Sequence, residues 1–346
     1  MANPEPTVVN LSAVALRRRM KVLISIRQPV VAWVIPPAQV ERLRERFPDV
    51  TFVHGVDEQI DAEALVDADV AFTWTMKPEM VPRARNLRWV HSSAVAVGTL
   101  PLRELAARGV ALTNSRGVQS PAIAEHVIAC LLALAKRLPL ILRHQHSRHW
   151  AQNEIIGPEM PWLIAGKQVG IIGLGTIGGA VAQRAAALGM HVVGVRRRLN
   201  QGKPVGVQDV VGPDALDDVI ASSDVIVLAA PWTGATDRLI DERAIARMKR
   251  GAVVINIARG QLVCETSLAR ALTDGRLGGA ALDVFNEEPL PPSSPLWSAP
   301  NVIITPHTSG FRADHWDAAV DLFIEQLRRF IAGETLLNPV DAEAGY

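Results

Sequence analysis

Residues 169–178 read Val-Gly-Ile-Ile-Gly-Leu-Gly-Thr-Ile-Gly and run straight into an alanine-rich stretch. Few backbone paths suit that order: an apolar strand, a tight turn, then a helix. Gly173 permits the turn, Gly175 lets the backbone approach a ligand, and Gly178 allows the helix to press on the strand. The first helical turn, with Thr176 and Ile177, then offers free N–H groups and a positive dipole end to an anion. A glycine pattern alone is a weak signal. Strand before it and helix after it make it a pyrophosphate cradle, so a dinucleotide is the expected ligand.

The rest of the chain repeats the strand and helix alternation. Strands are predicted at Val22–Ile26, Val50–His54, Val70–Trp74, Leu87–Ser93 and Val110–Asn114, with helical stretches at Pro37–Arg46, Ala62–Val66, Pro78–Ala84 and Pro101–Arg108. A long apolar helix runs from Ser120-Pro121 to Leu138, with serine as N-cap and proline at the first helical position. A second series follows, with strands at Gln168–Ile172, His191–Val195, Val225–Ala229, Val253–Ile257, Ala280–Val284 and Val302–Thr305. Its helices fit Ile177–Leu188, Pro213–Ala221, Glu242–Met248 and Thr266–Asp274, and a last helix covers Asp314–Ala332. Short strands alternating with helices mean parallel sheets covered on their faces. A chain of 346 residues exceeds what one core usually serves, so two α/β units are expected.

Composition removes several function classes. Lys plus Arg number 36 against 35 Asp plus Glu, a formal net charge of +1, so no global field draws nucleic acid or an anionic membrane. The longest apolar run, Val127 to Ala135, is shorter than a membrane span. Cys130 and Cys264 are the only cysteines, which argues against a disulfide framework and for a reducing, cytoplasmic setting. Residues 1–20 read as an extension ahead of the fold. His144, His146 and His149 lack a Cys or carboxylate at ligand spacing, so a solvated or interface cluster is expected and no metal.

Where an NAD-binding chain usually has Asp or Glu for the adenosine ribose, this one has Arg196-Arg197-Arg198, twenty-three residues after Gly173. Guanidinium groups there would pair with a 2′-phosphate, so NADP(H) is expected over NAD(H). Three further polar residues follow apolar strands: Arg259 after Asn256-Ile257-Ala258, Glu288 in Ala281–Leu290, and His307 in Thr305-Pro306-His307. In parallel sheets, ligands bind beyond the carboxyl ends of strands. Each residue alone is more often a surface ion pair, a loop charge or a strand-end histidine. Jointly they fit reduction of a keto acid. Arginine would grip the carboxylate and carbonyl, histidine would supply a proton, and the glutamate would orient the ring and favour its charged form.

These motifs identify a resemblance to the D-isomer-specific 2-hydroxyacid dehydrogenases, from about Lys21 to Ala332. It rests on the Gly173–Gly178 loop, Asn256-Ile257-Ala258-Arg259-Gly260, and Ala281–Leu290 with Thr305-Pro306-His307. The resemblance implies two parallel-sheet domains of Rossmann-like and flavodoxin-like type, the cofactor domain inserted into the substrate domain. Residues 21–118 and 312–346 would bind substrate, and residues 119–311 would bind NAD(P). Arg259, Glu288 and His307 take the family's catalytic positions, and Asp283 that of an aspartate near the nicotinamide carboxamide. Ala230, Pro231, Thr236, Ala258 and Gly310 complete the implied cofactor contacts. Val95 and Ala96 fall in a loop, Ser92–Gly98, whose backbone N–H groups would hold the substrate carboxylate. Ala96 stands where many relatives have glycine, which would carry strain if the position needs positive φ. Formate dehydrogenases of the superfamily have Gln where Glu288 stands, which argues against that activity.

Within the family, arginine after the second cofactor-domain strand looks like the NADP-using glyoxylate and hydroxypyruvate reductases. The expected partners are a small 2-keto or 2-hydroxy acid and a second copy of the chain, docked through the region after Ser120. Two alternatives stay open: NAD-dependent oxidation of a larger D-2-hydroxy acid, and a non-catalytic, dinucleotide-sensing interaction protein of the same fold.

Overall fold

A computed structural model describes residues 18–28, 30–156, 160–343 and 345. The N-terminal extension therefore lies, up to residue 17, outside the described residues, as do residues 157–159 of the connection ahead of the glycine-loop strand. The chain divides into two units, residues 1–115 with 316–346, and residues 116–315. Among the described residues no helix is long and apolar enough to cross a membrane.

The first unit is built on β1 (Lys21–Ser25), β2 (Thr51–His54), β3 (Val70–Thr73), β4 (Trp89–Ser92) and β5 (Ala111–Asn114). All pairings are parallel and the order is β2-β1-β3-β4-β5. Parallel strands are covered on both faces, and β3 and β4 are accordingly buried at every position. α1 (Pro37–Arg46), α2 (Glu58–Leu65) and α3 (Leu102–Ala107) connect strands, while α10 (His315–Ala332) returns from the far end of the sequence. Phe323 of α10 stacks on Phe72 of β3, ring centroids 4.2 Å apart. Asp57 caps α2 by accepting from the Ile60 N–H at 2.8 Å.

The second unit has seven parallel strands: β6 (Gln168–Ile172), β7 (His191–Val195), β8 (Asp209–Val211), β9 (Val225–Leu228), β10 (Val253–Asn256), β11 (Gly279–Leu282) and β12 (Val302–Ile304). Their order is β12-β11-β10-β9-β6-β7-β8, so the winding reverses between β6 and β9. Apolar cores lie on both faces of this sheet, one around Val127, Leu131, Val181 and Ile255, the other around Leu228, Val254, Leu268 and Leu282. α4 (Ser120–Ala135), α5 (Leu138–His146), α6 (Thr176–Ala187), α7 (Leu216–Ser222), α8 (Glu242–Arg247) and α9 (Glu265–Thr273) supply the covering layers.

Four local readings are corrected. The helix expected from Ser120 to Leu138 ends at Ala135 and restarts as α5, with Arg137 left-handed at φ 57° between them. Pro139 explains the break, because its ring would meet the Ala135 carbonyl and it has no N–H to donate. Ser120 is itself the first helical residue, preceded by Gln119, with Pro121 second. Residues Pro78–Arg83 form a 3₁₀ helix containing Pro82, not an α-helix. The edge strand β8 escaped the sequence reading because three residues in a glycine-rich stretch give too short a pattern.

His91 of β4 is wholly buried, and burial pushes its imidazole down to about 3. Its folded value lies below the unfolded value of about 6.5, so the unfolded chain binds the proton first as pH falls. Stability from this residue is complete above about pH 6.5 and is lost progressively below it. Between pH 7 and pH 5 the loss is about 2 kcal/mol by linkage. Urea denaturation at both pH values, on the protein and on His91→Gln, measures it. Equal pH losses in the two proteins would show that His91 becomes charged without penalty.

Candidate functional site

The glycine loop follows from the reversal between β6 and β9. Gly173 is at φ 102°, and a Cβ there would lie 2.6 Å from the Ala229 carbonyl and the Ala230 nitrogen. A Cβ on Gly178 would lie 2.0 Å from the Gly173 oxygen. Gly175 differs, since a Cβ there meets nothing within 4 Å. Its missing side chain serves no protein contact and leaves the backbone open to a ligand. The first internal bond of α6 runs from Gly179 N–H to the Gly175 carbonyl at 2.9 Å, and no side chain caps this end. The N–H groups of Thr176, Ile177 and Gly178 are thus available to an anion, and the cradle fits the pyrophosphate of a dinucleotide.

On the flank of that cradle, β7 ends at Val195 and the three arginines follow. Arg196 is half-buried, its backbone tied to Val211 and its guanidinium to the Gly202 carbonyl. Arg197 and Arg198 are exposed, and Arg198 forms no ion pair among the described residues. Beyond β9, Thr236 Oγ1 donates to the Pro231 carbonyl at 2.7 Å and accepts from the Thr233 N–H at 2.8 Å, which staples the Ala230–Thr236 loop.

The ends of β10, β11 and β12 lie side by side, with Asn256 level with Leu282 and Leu282 level with Ile304. Arg259 and His307 each come three residues after such a position. Asn256 folds its own loop, accepting from Ala258 N–H at 3.1 Å and donating to the Arg259 carbonyl at 2.8 Å. The Arg259 side chain is exposed, donates to the Ala258 carbonyl at 2.6 Å, and has no acidic partner among the described residues. A Cβ on Gly260 would lie 1.9 Å from the Phe285 carbonyl carbon. Glycine at 260 thus lets the Arg259 loop lie directly against the loop carrying Glu288.

Glu288 divides its carboxylate between two tasks. Oε1 accepts from the Phe285 N–H at 2.9 Å, closing the loop on itself, and Oε2 lies 2.8 Å from His307 Nδ1. An ionised carboxylate only accepts, so Nδ1 carries the hydrogen and Nε2 is left for exchange with a ligand. The His307 side chain is 53% exposed. Its backbone is left-handed at φ 55°, held by its N–H donating to the Asp283 carbonyl at 2.9 Å.

Asp283 is 1% exposed. Its carboxylate accepts from Thr305 Oγ1 at 2.6 Å, Thr308 N–H at 2.9 Å and Ser309 N–H at 3.0 Å. In this structure it ties down the loop bearing His307. Gly310 follows, its backbone against Gln119, where a Cβ would come within 3.2 Å. Asn256, Gly260 and Thr305, which belong to the sequence motifs, each shape a loop. Glu265 carried no signal at all, yet it accepts from the Asn286 N–H at 2.7 Å beside Glu288.

In the first unit, the N–H groups of Val95, Ala96 and Val97 have no hydrogen-bond partner among the described residues. Ala96 is not at positive φ, so alanine carries no strain there. His149 Nε2 pairs with Glu154 at 2.6 Å, and among the described residues no group of His, Cys, Asp and Glu is arranged to hold a metal.

The family model described as D-isomer specific 2-hydroxyacid dehydrogenase, NAD binding domain, matches residues 128–309. The chain belongs to this family, and its second unit carries the NAD-binding domain. Among curated relatives it is 33% identical over 285 residues to a glyoxylate reductase of Korarchaeum cryptofilum, covering 82% of this chain and 84% of the relative. It is also 33% identical to D-3-phosphoglycerate dehydrogenase of Mycobacterium tuberculosis over 93% of this chain. It spans only 60% of that relative's length. The structure of a D-isomer specific 2-hydroxyacid dehydrogenase from Xanthobacter autotrophicus, in complex with NADPH and MES, matches with a TM-score of 0.79 at 30% identity, covering 94% of this chain and 99% of the other.

The contact at Gly260 yields a direct test. Gly260→Ala forces two backbone segments apart and should cost about 1–3 kcal/mol, as overpacking does. That is a fall of roughly 2–10 °C in Tm for a unit of this size. An unchanged Tm would mean the Phe285 loop gives way freely.

Proposed function

We propose that the protein is an NADPH-dependent reductase of small 2-keto acids such as glyoxylate or hydroxypyruvate, giving the D-2-hydroxy acid. The observation that carries the reading is the 2.8 Å contact of His307 Nδ1 with Glu288, on the same sheet edge as Arg259, which has no acidic partner among the described residues. The resemblance to a glyoxylate reductase supports the substrate class, and the exposed Arg197 and Arg198 support NADP(H) over NAD(H).

Bound NADPH would supply the hydride that reaches the keto carbon. Thr176, Ile177 and Gly178 would hold its pyrophosphate through backbone N–H groups. Ala230, Pro231, Thr236, Ala258 and Gly310 belong to the same proposed site. Val95 and Ala96 are proposed to bind the substrate carboxylate with their N–H groups, and Arg259 to grip carboxylate and carbonyl together. As the carbonyl oxygen gains charge, the Arg259 guanidinium stabilises it and His307 Nε2 gives it a proton. His307 is then neutral and regains its proton from solvent. Glu288 keeps the ring oriented and compensates its charge. Asp283, whichever cofactor group it meets, holds the His307 loop.

A homodimer formed through α5 and the segment after it is part of the same reading. α5 has no buried residue, and Leu142, Trp150 and Leu163 stand 57%, 86% and 71% exposed. Sedimentation as a monomer would remove this part. A cytoplasmic setting is supported by the two free cysteines, and cell fractionation tests it.

The first experiment is oxidation of NADPH and NADH at 340 nm across a panel of 2-keto acids. Turnover of glyoxylate or hydroxypyruvate with NADPH is expected, and His307→Ala should lower kcat by roughly 100- to 10,000-fold. Silence across the panel with both cofactors would defeat the reading and favour a dinucleotide-sensing interaction protein. Replacing Arg197 and Arg198 together by serine should weaken NADPH binding about 10- to 100-fold, the range of one or two charge-assisted hydrogen bonds. NADH binding should hardly change. Tighter binding of NADH than NADPH by the unaltered protein would instead support oxidation of a 2-hydroxy acid with NAD.

A further inference from the structure

Beneath the loop of Val95 to Val97 lies a buried polar chain to which the proposed reaction gives no role. His91 is 0% exposed, among the rings of Phe72, Trp89 and Phe323. Its ring nitrogens reach two hydroxyls, Nδ1 to Thr113 Oγ1 at 2.7 Å and Nε2 to Ser115 Oγ at 3.3 Å. Proton accounting fixes every direction. Trp89 Nε1 can only donate, and it lies 2.8 Å from Thr113 Oγ1. The Ser92 carbonyl can only accept, and Ser115 Oγ donates to it at 2.9 Å. Ser115 Oγ must therefore accept from His91 Nε2, and Nδ1 must accept from Thr113. The chain of donors runs one way, from Trp89 through Thr113, His91 and Ser115 to the Ser92 carbonyl. Burial drives the imidazole to the neutral form that this accounting requires.

The chain ends where the loop begins. Ser92 Oγ accepts from the Ala94 N–H at 3.2 Å, and Ser115 N–H donates to the Ala94 carbonyl at 3.2 Å. Asn114 Nδ2 donates to the Val95 carbonyl at 2.8 Å. The end of β5 thus engages the loop's carbonyls, while the N–H groups of Val95 and Ala96, and of the buried Val97, have no partner among the described residues. We propose that His91 and Ser115 are positioning residues, which fix this loop so that Val95 and Ala96 present their N–H groups together to the carboxylate of the substrate. In its activity readout this rests on the function proposed above. Neither residue touches substrate in this scheme.

The test uses three variants of the full chain. His91→Leu and Ser115→Ala each break the chain of donors. His91→Gln keeps one amide N–H for Ser115 and one carbonyl for Thr113. Loss of one ordinary hydrogen bond at the loop should raise KM for the keto acid about tenfold in the first two. In both, kcat should stay within about twofold and NADPH affinity should not move, whereas His91→Gln should restore KM. A second readout needs no turnover. Hydrogen exchange at the Ala94 and Ser115 amides should quicken roughly tenfold in His91→Leu and Ser115→Ala and return towards the original rate in His91→Gln. If the unaltered protein reduces no 2-keto acid, the proposed function fails while exchange still decides this proposal. If His91→Leu does not fold, Ser115→Ala, which removes a single oxygen, carries the test. Unchanged KM and exchange in a folded Ser115→Ala protein, or His91→Gln behaving like His91→Leu, overturns it.

Discussion

One buried carboxylate organises the carboxyl edge of the second unit. Asp283 follows β11 directly and is almost fully enclosed. A carboxyl group in that position is tolerable only when its oxygens meet donors. Three donors from Thr305, Thr308 and Ser309 meet them, all from the segment after β12. The aspartate's own backbone carbonyl takes the His307 N–H as well. With side chain and main chain both engaged, one residue dictates the path of its neighbour strand's loop. The left-handed φ of His307 is held by these bonds, and the imidazole arrives opposite Glu288 as a result.

Much of this arrangement was legible in the sequence because its causes are local. Gly173 and Gly178 announce a turn and a close helix contact wherever they occur between strand and helix, and the built backbone demands both. Arg259, Glu288 and His307 could be gathered on one edge because parallel strands in register place their loops at one end. The residues that shape the loops were not legible. Glu265 meets Asn286 across twenty-one positions of chain, and no pattern in either segment announces that pairing. His91 lies inside an apolar strand, where a histidine reads as an interruption until Thr113 and Ser115 are brought beside it by β5. Secondary structure failed where patterns were short or proline ambiguous, as in β8 and the break before Pro139.

The two sheets solve different problems with the same strand arrangement. In the second unit the reversal between β6 and β9 opens a crevice, where backbone contacts require glycine at 173 and the bare Gly175 leaves the chain open to a ligand. In the first unit the end of β4 carries no glycine turn of that kind. There Asn114 and Ser115 hold the loop by its carbonyls, and the N–H groups of Val95 and Ala96 have no partner among the described residues. A bare glycine backbone and a loop held by its carbonyls are two routes to one electrostatic outcome, a set of N–H groups turned to an anion.

The first unit is assembled from both ends of the chain, and this bears on the order in which the protein can be built. Its strands are complete once Asn114 has been made, yet Phe72 and Trp89 still lack the ring of Phe323. Val340 must still donate to Leu112, and Gln326 must still engage the Leu337 backbone. The second unit, by contrast, is continuous in sequence and has its whole core by His315. During synthesis, the strands of the first unit must wait with an open apolar face until residues 316–346 emerge, while the second unit closes before them. The first unit is therefore the more exposed of the two while the chain is being made, and α10 is the segment whose arrival ends that exposure.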